Sequence, residues 1–189
     1  MVKRNNKWKV LKKGVAFKNP WRQIDVWTVC RPDGCESEFY FSVGPEIVVI
    51  FALTKKEEVV IIYQHHIYEG KKVADLPAGY SEGGSLLAAA KRELREETGY
   101  ASKKWEKLGR VHLGKWSSNS AHIYLAKDAE WVGQQTLEPS EDITVSLLPL
   151  DKVLPLINNK YHADSLSVVA VYMALERLNY WKKVKPTSS

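Results

Sequence analysis

The sequence is poor in cysteine and has no long apolar run, no internal repeat and no low-complexity tract. Two cysteines cannot complete a four-ligand zinc site by themselves. No segment approaches the roughly 20 apolar residues of a membrane span, and the basic start MVKRNNKWKV lacks the apolar run of a secretory signal. These shortages favour a cytoplasmic protein without membrane attachment. A length of 189 residues favours one domain with at most a small appendage.

The two cysteines, Cys30 and Cys35, flank the sequence RPDG between two strand-like runs. Pro-Asp-Gly is typical of a tight turn, so we expect a β-hairpin across which the two thiols could face each other. Because disulfides are rare in the cytoplasm, both thiols are expected to be reduced and structural.

Acidic residues are absent from residues 1–18, which hold seven of the 28 Lys and Arg residues. The rest of the chain has 21 basic and 22 acidic residues, so the net charge of +6 comes from this arm. A basic arm can be a solubilising terminus or can attract a polyanion. We favour the solubilising role and expect no nucleic-acid partner, because no nucleic-acid-binding motif accompanies the charge.

Short β-branched runs dominate the rest of the sequence, and strands outnumber helices. The two most apolar strands, 46–54 and 57–66, should pair as a central hairpin, and residues 127–142 should form a polar loop. The absence of a regular βαβ alternation predicts an α+β protein with a mixed sheet and helices packed on it. The predicted strands are 8–17, 24–30, 36–43, 46–54, 57–66, 72–80, 105–112, 121–126 and 143–150; the predicted helices are 85–98, 151–158 and 164–181.

The predicted helix 85–98 carries Glu93, Glu96 and Glu97 on adjoining parts of one surface, because they are three or four residues apart. Arg92 and Glu96 have the i, i+4 spacing of an ion pair. Carboxylates at this spacing repel each other by a few tenths of a kcal/mol, roughly, and a hard divalent cation such as Mg²⁺ would offset the repulsion. From the spacing alone, a solvated helix face is the competing interpretation.

The residues from Arg92 to Tyr100, RELREETGY, resemble the core of the Nudix signature: Arg-Glu, an aliphatic residue, any residue, Glu-Glu, any residue, Gly, then an aliphatic or aromatic residue. DLPAG before the helix, AAKREL within it and the two apolar strands upstream are similar to the ADP-ribose pyrophosphatase branch of this family. The order of elements is similar from about residue 15 to about residue 180.

The resemblance implies a Nudix fold, in which a mixed sheet lies between helices as an α/β/α sandwich, with an N-terminal antiparallel β region. It also implies a homodimer, because the N-terminal strands of this branch often exchange between two subunits. The implied segments are the N-terminal β region 1–44, the Nudix hydrolase domain 45–182 and the C-terminal tail 183–189.

The reaction implied by the resemblance is hydrolysis of a nucleoside diphosphate linked to another moiety, with Mg²⁺ or Mn²⁺ as cofactor. The favoured substrate is ADP-ribose, which would give AMP and ribose 5-phosphate. Glu93, Glu96 and Glu97 match the carboxylates that hold the metals, and Glu96 is also taken as catalytic. Arg92 matches the catalytic-site arginine that orients a glutamate of the helix, and the carbonyl of Ala78 matches a backbone metal ligand.

The match departs from the signature in the turn before the helix. The spacing from Gly79 to Arg92 is one residue shorter, and the first Glu of the signature is missing just before Ser85. Ser85 keeps the N-cap place, so the helix carboxylates are intact. Glu82 matches an extra carboxylate common in the branch, and we expect it near the metals.

A glutamate on a later loop usually activates the water in this branch, and Glu141 in LEPSEDITV matches it best. Glu138 and Asp142 are its rivals. The competing interpretation is a polar surface loop, because a general base needs reach and pKa together.

The sequence gives weaker evidence for the substrate-binding residues. His66 stands where the branch often has an arginine that meets a phosphate, although it lacks arginine's permanent charge. Trp27 and Tyr80 are candidates to stack on a base, with core packing as the alternative for any tryptophan. Weaker candidates for the site are Trp21, Asn119 and His122.

Two alternatives to ADP-ribose hydrolysis stay open. The same chemistry could act on another nucleotide-sugar or dinucleotide. A catalytically impaired scaffold that binds nucleotide or RNA is favoured by the missing Glu and the basic arm, and it is opposed by the intact charged residues of the helix.

Overall fold

The computed structural model of the chain describes residues 7–158 and 164–183. Residues 184–189 of the predicted tail lie outside this part. The chain divides into two compact units, one of residues 1–46 with 112–120 and one of residues 47–111 with 121–189. The domain boundary after residue 44 stays a prediction. In the described residues, no helix is long and apolar enough to span a membrane.

The N-terminal unit is an antiparallel sheet of three strands, as the sequence predicts. Its second connection is the Pro-Asp-Gly hairpin, in which Gly34 adopts a φ of 87° that favours glycine. Cys30 and Cys35 on either side of this turn are free thiols. The sheet order is β1-β2-β3, with β1 at Lys9–Lys18, β2 at Gln23–Cys30 and β3 at Glu36–Val43.

An aromatic cluster joins this sheet to residues 112–120 of the same unit. Trp116 stacks on Phe39 with 5.4 Å between ring centroids, and Trp27 lies 5.0 Å from Phe41. Aromatic pairs at these separations add roughly 0.5–1.5 kcal/mol beyond the area they bury. Most of the unit's large side chains nevertheless remain partly exposed, and Val29 is its one buried hydrophobic residue among those described.

The second unit contains a mixed sheet with helices on both faces. Its strands are β4 (Ile47–Thr54), β5 (Glu58–His66), β6 (Lys71–Asp75), β7 (Ala78–Tyr80), β8 (Tyr100–Ala101), β9 (Lys104–His112), β10 (Ser120–Trp131) and β11 (Ile143–Pro149). The helices are α1 (Leu86–Thr98), α2 (Leu150–Ile157), α3 (Ser165–Arg177) and α4 (Tyr180–Lys183). The strand order is β11-β5-β4-β10-β8, with β4 and β10 parallel and the other pairs antiparallel.

Side chains of β4 alternate between two apolar clusters. Val49 and Phe51 belong to the cluster that contains the buried residues of α2 and α3, whereas Val48 and Ile50 pack with α1. All four are fully buried, and burial of such a side chain contributes roughly 1.5–3 kcal/mol. The predicted sandwich of a mixed sheet between helices is therefore confirmed.

Strands β6 and β7 lie where the arms of the central hairpin separate. The hairpin is confirmed at its turn, where Leu53 pairs with Val59. Farther from the turn, β5 pairs with β6 and β4 pairs with β7. The predicted single strand 72–80 is thus two strands interrupted at Leu76 and Pro77, because proline cannot donate to a ladder. This interruption brings Ala78 and Gly79 below α1.

Two further boundaries differ from the prediction. Strand β10 continues to Trp131 because β8 pairs with its end, at Glu130 and Trp131. The polar residues 127–131 are therefore strand, and the loop is confined to 132–142. The last predicted helix ends at Arg177, and Asn179 with a φ of 52° separates it from α4.

Candidate active site

Helix α1 begins and ends at the predicted residues. The hydroxyl oxygen of Ser85 accepts from the backbone N–H of Ala88 at 3.4 Å, which caps the first turn. Gly99 ends the helix with a φ of 73°, and a Cβ there would overlap the carbonyl oxygen of Gly133. Only glycine meets both requirements at this position.

Two glutamates of α1 are buried, contrary to the ordinary behaviour of carboxylates. Glu93 is 8% exposed and Glu97 is 5% exposed, whereas the Glu96 side chain is 39% exposed. Charged groups are rarely buried without a partner because desolvation is costly. The solvated-face interpretation therefore fails for Glu93 and Glu97.

Glu97 is held by the strand below it. Its Oε2 accepts from the backbone N–H of Ala78 at 2.9 Å. Burial raises the pKa of Glu97 to about 8, and the negative charges of Glu93, Glu141 and Asp75 act in the same direction. The Ala78 N–H opposes this shift. A carboxylate in this environment gains most from a nearby cation.

Glu93 lies directly over Gly79. A Cβ at Gly79 would overlap the Glu93 carboxylate, so this glycine is required by close approach rather than by an unusual φ. Burial also raises the pKa of Glu93, and the charge of Arg92 opposes the rise. The Gly of LPAG thus makes room for a buried carboxylate.

Arg92 joins the charged residues of the helix to the strand. Its Nη1 donates to Glu96 Oε2 at 2.7 Å, and its Nη2 donates to Glu93 Oε1 at 2.6 Å. Nη2 also donates to the carbonyl of Tyr80 at 3.2 Å, and Glu82 Oε1 lies 3.8 Å away. The guanidinium offsets part of the carboxylate repulsion and orients two glutamates.

The loop 132–142 is fastened to the end of α1 by three hydrogen bonds. The N–H of Val132 donates to the Gly99 carbonyl, and the N–H of Thr136 donates to the Glu96 carbonyl, both at 2.8 Å. The Gln135 side chain donates to the Glu97 carbonyl at 2.5 Å. These bonds bring the acidic part of the loop to the glutamates of the helix.

Glu141 is half-buried at the end of this loop. Its Oε2 accepts from the N–H of Glu138 at 2.7 Å, and its own N–H donates to the Glu138 carbonyl at 3.0 Å. The rival Asp142 points elsewhere, since it forms an ion pair with Lys72 at 2.9 Å. Glu138 and Glu141 both line the pocket described next.

These residues enclose a pocket of about 320 Å³, which we call the carboxylate pocket. Sequence reasoning placed most of its residues in the site, but it did not assign Gln64, Gly79 or Thr136 to it. Gln64 could have been found as the polar end of an apolar strand, whereas nothing local marks Thr136. The lining residues are Gln64, Ala78, Gly79, Tyr80, Glu82, Arg92, Glu93, Glu96, Glu97, Thr136, Glu138 and Glu141.

The predicted substrate-binding residues have different surroundings. Tyr80 lines the carboxylate pocket and is 47% exposed. His66 Nε2 lies 2.7 Å from Oδ2 of the buried Asp75, which also accepts from Gln64 at 2.9 Å. Trp27 belongs to the N-terminal unit, where Lys13 lies 3.8 Å from its ring centroid. Roles in substrate binding for these residues stay predictions.

The three weaker candidates also have defined surroundings. Trp21 is among the most exposed tryptophans, and the amide of Asn119 donates to the Pro45 carbonyl at 2.8 Å. His122 is buried on β10.

The donor set of the carboxylate pocket suits a divalent cation. Arg92 donates to one carboxylate oxygen of Glu93 and one of Glu96, and the Ala78 N–H donates to one oxygen of Glu97. Within the described residues, the second oxygen of each of these glutamates accepts no hydrogen bond. Hard cations prefer such oxygens. Within residues 7–158 and 164–183, however, no three His, Cys, Asp or Glu side chains already converge on one point.

Comparison with known proteins shows what the chain is similar to. The Nudix domain model matches residues 44–168. The chain is 29% identical over 172 residues to the methanol dehydrogenase activator of Bacillus methanolicus, and 25% identical over 172 residues to the ADP-ribose pyrophosphatase of Bacillus subtilis (strain 168). Each alignment covers 89% of this chain and 93% of the relative.

A solved structure shares the fold. The crystal structure of an ADP compounds hydrolase has a TM-score of 0.82 at 18% identity, and the match covers 94% of this chain and 97% of that chain. Because the family model spans most of the sequence, the chain belongs to the Nudix family. It is an ADP-ribose pyrophosphatase-like hydrolase that acts on a pyrophosphate bond, and Nudix hydrolases generally use a divalent metal.

Proposed function

We propose that this protein hydrolyses ADP-ribose to AMP and ribose 5-phosphate with Mg²⁺, or Mn²⁺, as cofactor. The observation that supports this proposal most directly is the burial of Glu93 and Glu97. Their pKa values are raised within a pocket that other carboxylates also line. Burying two charged carboxylates together costs free energy unless a cation binds to them. The named activity of the Bacillus subtilis relative supports the choice of substrate.

In this proposal Glu93, Glu96 and Glu97 hold the metal, with Glu82 and the Ala78 carbonyl as further oxygen donors. When bound, the cation neutralises charge on the phosphate oxygens and lowers the pKa of a water. Arg92 orients Glu93 and Glu96 through its two hydrogen bonds. Tyr80, Trp27 and His66 are proposed to contact the nucleotide.

The chemical step is a displacement at phosphorus. A water oxygen bonds to one phosphorus, the bond from that phosphorus to the bridging oxygen breaks, and the bridging oxygen leaves with the other phosphate. Glu141 takes the proton of the water, because its half-buried carboxylate lines the same pocket as the glutamates of the helix. Its hydrogen bond from Glu138 orients the carboxylate.

The testing experiment is a substrate panel with and without Mg²⁺. ADP-ribose, GDP-mannose, NADH and dinucleoside polyphosphates are incubated with the protein, and the products are separated by chromatography. We expect AMP and ribose 5-phosphate from ADP-ribose and no turnover after chelation. Glu97→Gln should abolish turnover, and unchanged activity in that variant would refute the site.

An impaired scaffold that binds nucleotide or RNA is the alternative favoured by the missing signature Glu and the basic residues 1–18. It predicts RNA affinity that falls steeply with salt and no hydrolysis of any substrate in the panel. Titration with Mn²⁺ and RNA binding at several salt concentrations separate the two hypotheses.

A homodimer forms part of the proposal. Strand β1 exposes the large apolar side chains of Val15 and Phe17, and Trp8 just before the strand is also more than half exposed. Large exposed apolar groups grouped on one element are typical of an interface. Sedimentation equilibrium of the wild-type chain and of a Val15→Lys/Phe17→Lys variant tests this point, since only the former should dimerise. The cytoplasmic location expected from the sequence stays a prediction.

A further inference from the structure

A second cavity of about 550 Å³, which we call the basic pocket, adjoins the carboxylate pocket along the outer side of α1. The two cavities share Arg92, Glu96 and Thr136 in their linings. The two cavities are therefore neighbours, and a ligand held at the glutamates lies beside the basic pocket. Its volume lies in the range of small-molecule sites, which is roughly 300–1,000 Å³.

The two pockets have opposite charge. The carboxylate pocket is lined by six glutamates and one arginine. The basic pocket is lined by Lys91, Arg92 and Arg95, and Glu96 is its only carboxylate among the described residues. Because Glu96 is already paired with Arg92, the basic pocket keeps a net positive charge. An additional phosphate would be repelled by the glutamates and attracted to this neighbour.

Lys91 and Arg95 are the two cations available to a ligand. They are four residues apart on α1, where like charges repel each other. Neither side chain forms an ion pair within the described residues. An anion that contacts both side chains would offset their mutual repulsion.

Trp105 gives the basic pocket an aromatic wall. Its indole N–H donates to the Ser102 carbonyl at 2.8 Å, and its ring packs edge-on to Tyr124 with 6.3 Å between centroids. The N–H is therefore engaged, and the half-buried ring offers a fixed surface. Such a surface suits stacking with a base or sugar that carries the phosphate.

We propose that the basic pocket binds a phosphate group that the substrate carries in addition to its scissile pyrophosphate, through Lys91 and Arg95, with Trp105 against the adjoining ring. This assignment rests on the proposed pyrophosphatase function, which it deepens by naming a substrate class. Lys91, Arg95 and Trp105 then determine specificity, because they do not touch the reacting atoms.

The test uses matched substrate pairs that differ in phosphate. ADP-ribose is compared with its 2′-phosphate, and diadenosine diphosphate is compared with diadenosine tetraphosphate. In Lys91→Gln/Arg95→Gln, the ratio of kcat/KM for the phosphorylated member to that for its partner should fall about 10- to 100-fold, the effect of losing charge-assisted hydrogen bonds. Lys55→Gln/Lys56→Gln, which removes two exposed charges from the β4–β5 turn, should leave the ratio unchanged.

A binding measurement in EDTA separates this inference from the proposed function. Intrinsic tryptophan fluorescence of the full chain is titrated with ADP-ribose 2′-phosphate, with Trp105→Phe to identify the responding ring. If Lys91→Gln/Arg95→Gln binds ADP-ribose 2′-phosphate more weakly than wild type, the proposed role of the basic pocket is supported. If wild type also hydrolyses no substrate, the pyrophosphatase function is refuted while that support remains. If wild type hydrolyses the substrates but Lys91→Gln/Arg95→Gln has the same kcat/KM ratio for both substrate pairs and the same affinity in EDTA, the proposed role of the basic pocket is wrong.

Discussion

Replacing Glu97 by glutamine tests whether the buried charge destabilises the metal-free protein. The pKa of Glu97 is about 8 in the folded chain, against an ordinary value of 4.5. At 1.36 kcal/mol per pKa unit, this gap corresponds to at most about 5 kcal/mol. The glutamine keeps the size of the side chain and an oxygen for the Ala78 N–H, so the variant removes the charge with little change in packing.

The sign of the pH dependence follows from proton binding. Because the pKa is raised on folding, the folded state holds the proton more tightly, and the stabilisation is complete below about pH 4.5. It is lost as the pH rises towards 8. The free energy of unfolding of Glu97→Gln relative to wild type should therefore increase by about 2–5 kcal/mol between pH 5 and pH 9 in EDTA.

Urea unfolding at pH 5, 7 and 9 measures this difference. Glu96→Gln is the matched control, because the Glu96 side chain is more than one third exposed, and its difference from wild type should change little. Saturating Mg²⁺ should stabilise wild type more than Glu97→Gln, since a ligand stabilises the state that binds it. A difference between Glu97→Gln and wild type that is flat from pH 5 to 9 would refute the burial argument.

Three further substitutions test the geometry of the site. Gly79→Ala should displace the Glu93 carboxylate, lower kcat/KM at least about 10-fold and weaken activation by Mg²⁺. Gly133→Ala is the control and should have near wild-type kcat/KM, because a Cβ at Gly133 meets no atom within 4 Å. Arg92→Lys should lower kcat by about 10-fold or more, because lysine cannot bridge two glutamates with a planar fork; full activity would contradict this role. Gln135→Ala should lower kcat and cost about 1 kcal/mol in urea unfolding, since the loop that carries Glu141 loses its bonds to the Glu97 and Ile143 carbonyls. Normal kinetics in that variant would show that the loop is held by its other contacts.

Local signals in the sequence were sufficient for the helix and for most strands. Ser85 and Gly99 predict the ends of α1 because capping depends on the conformational preferences of single residues. The continuous apolar run of β4 is typical of a strand buried on both faces. One failure occurred where pairing with a distant strand decided the outcome. The polar end of β10 is extended because β8 pairs with it, and no property of residues 127–131 indicates that pairing.

The sequence by itself determined which charged residues lie together, because the spacing of Arg92, Glu93, Glu96 and Glu97 places their side chains on one surface of any helix. Only the tertiary structure decided which of them lose contact with water. Glu93 and Glu97 are buried because β7, held between the separating arms of β4 and β5, brings Gly79 and Ala78 against them. A pKa near 8 is a property of that contact between distant segments, and helical spacing alone cannot produce it.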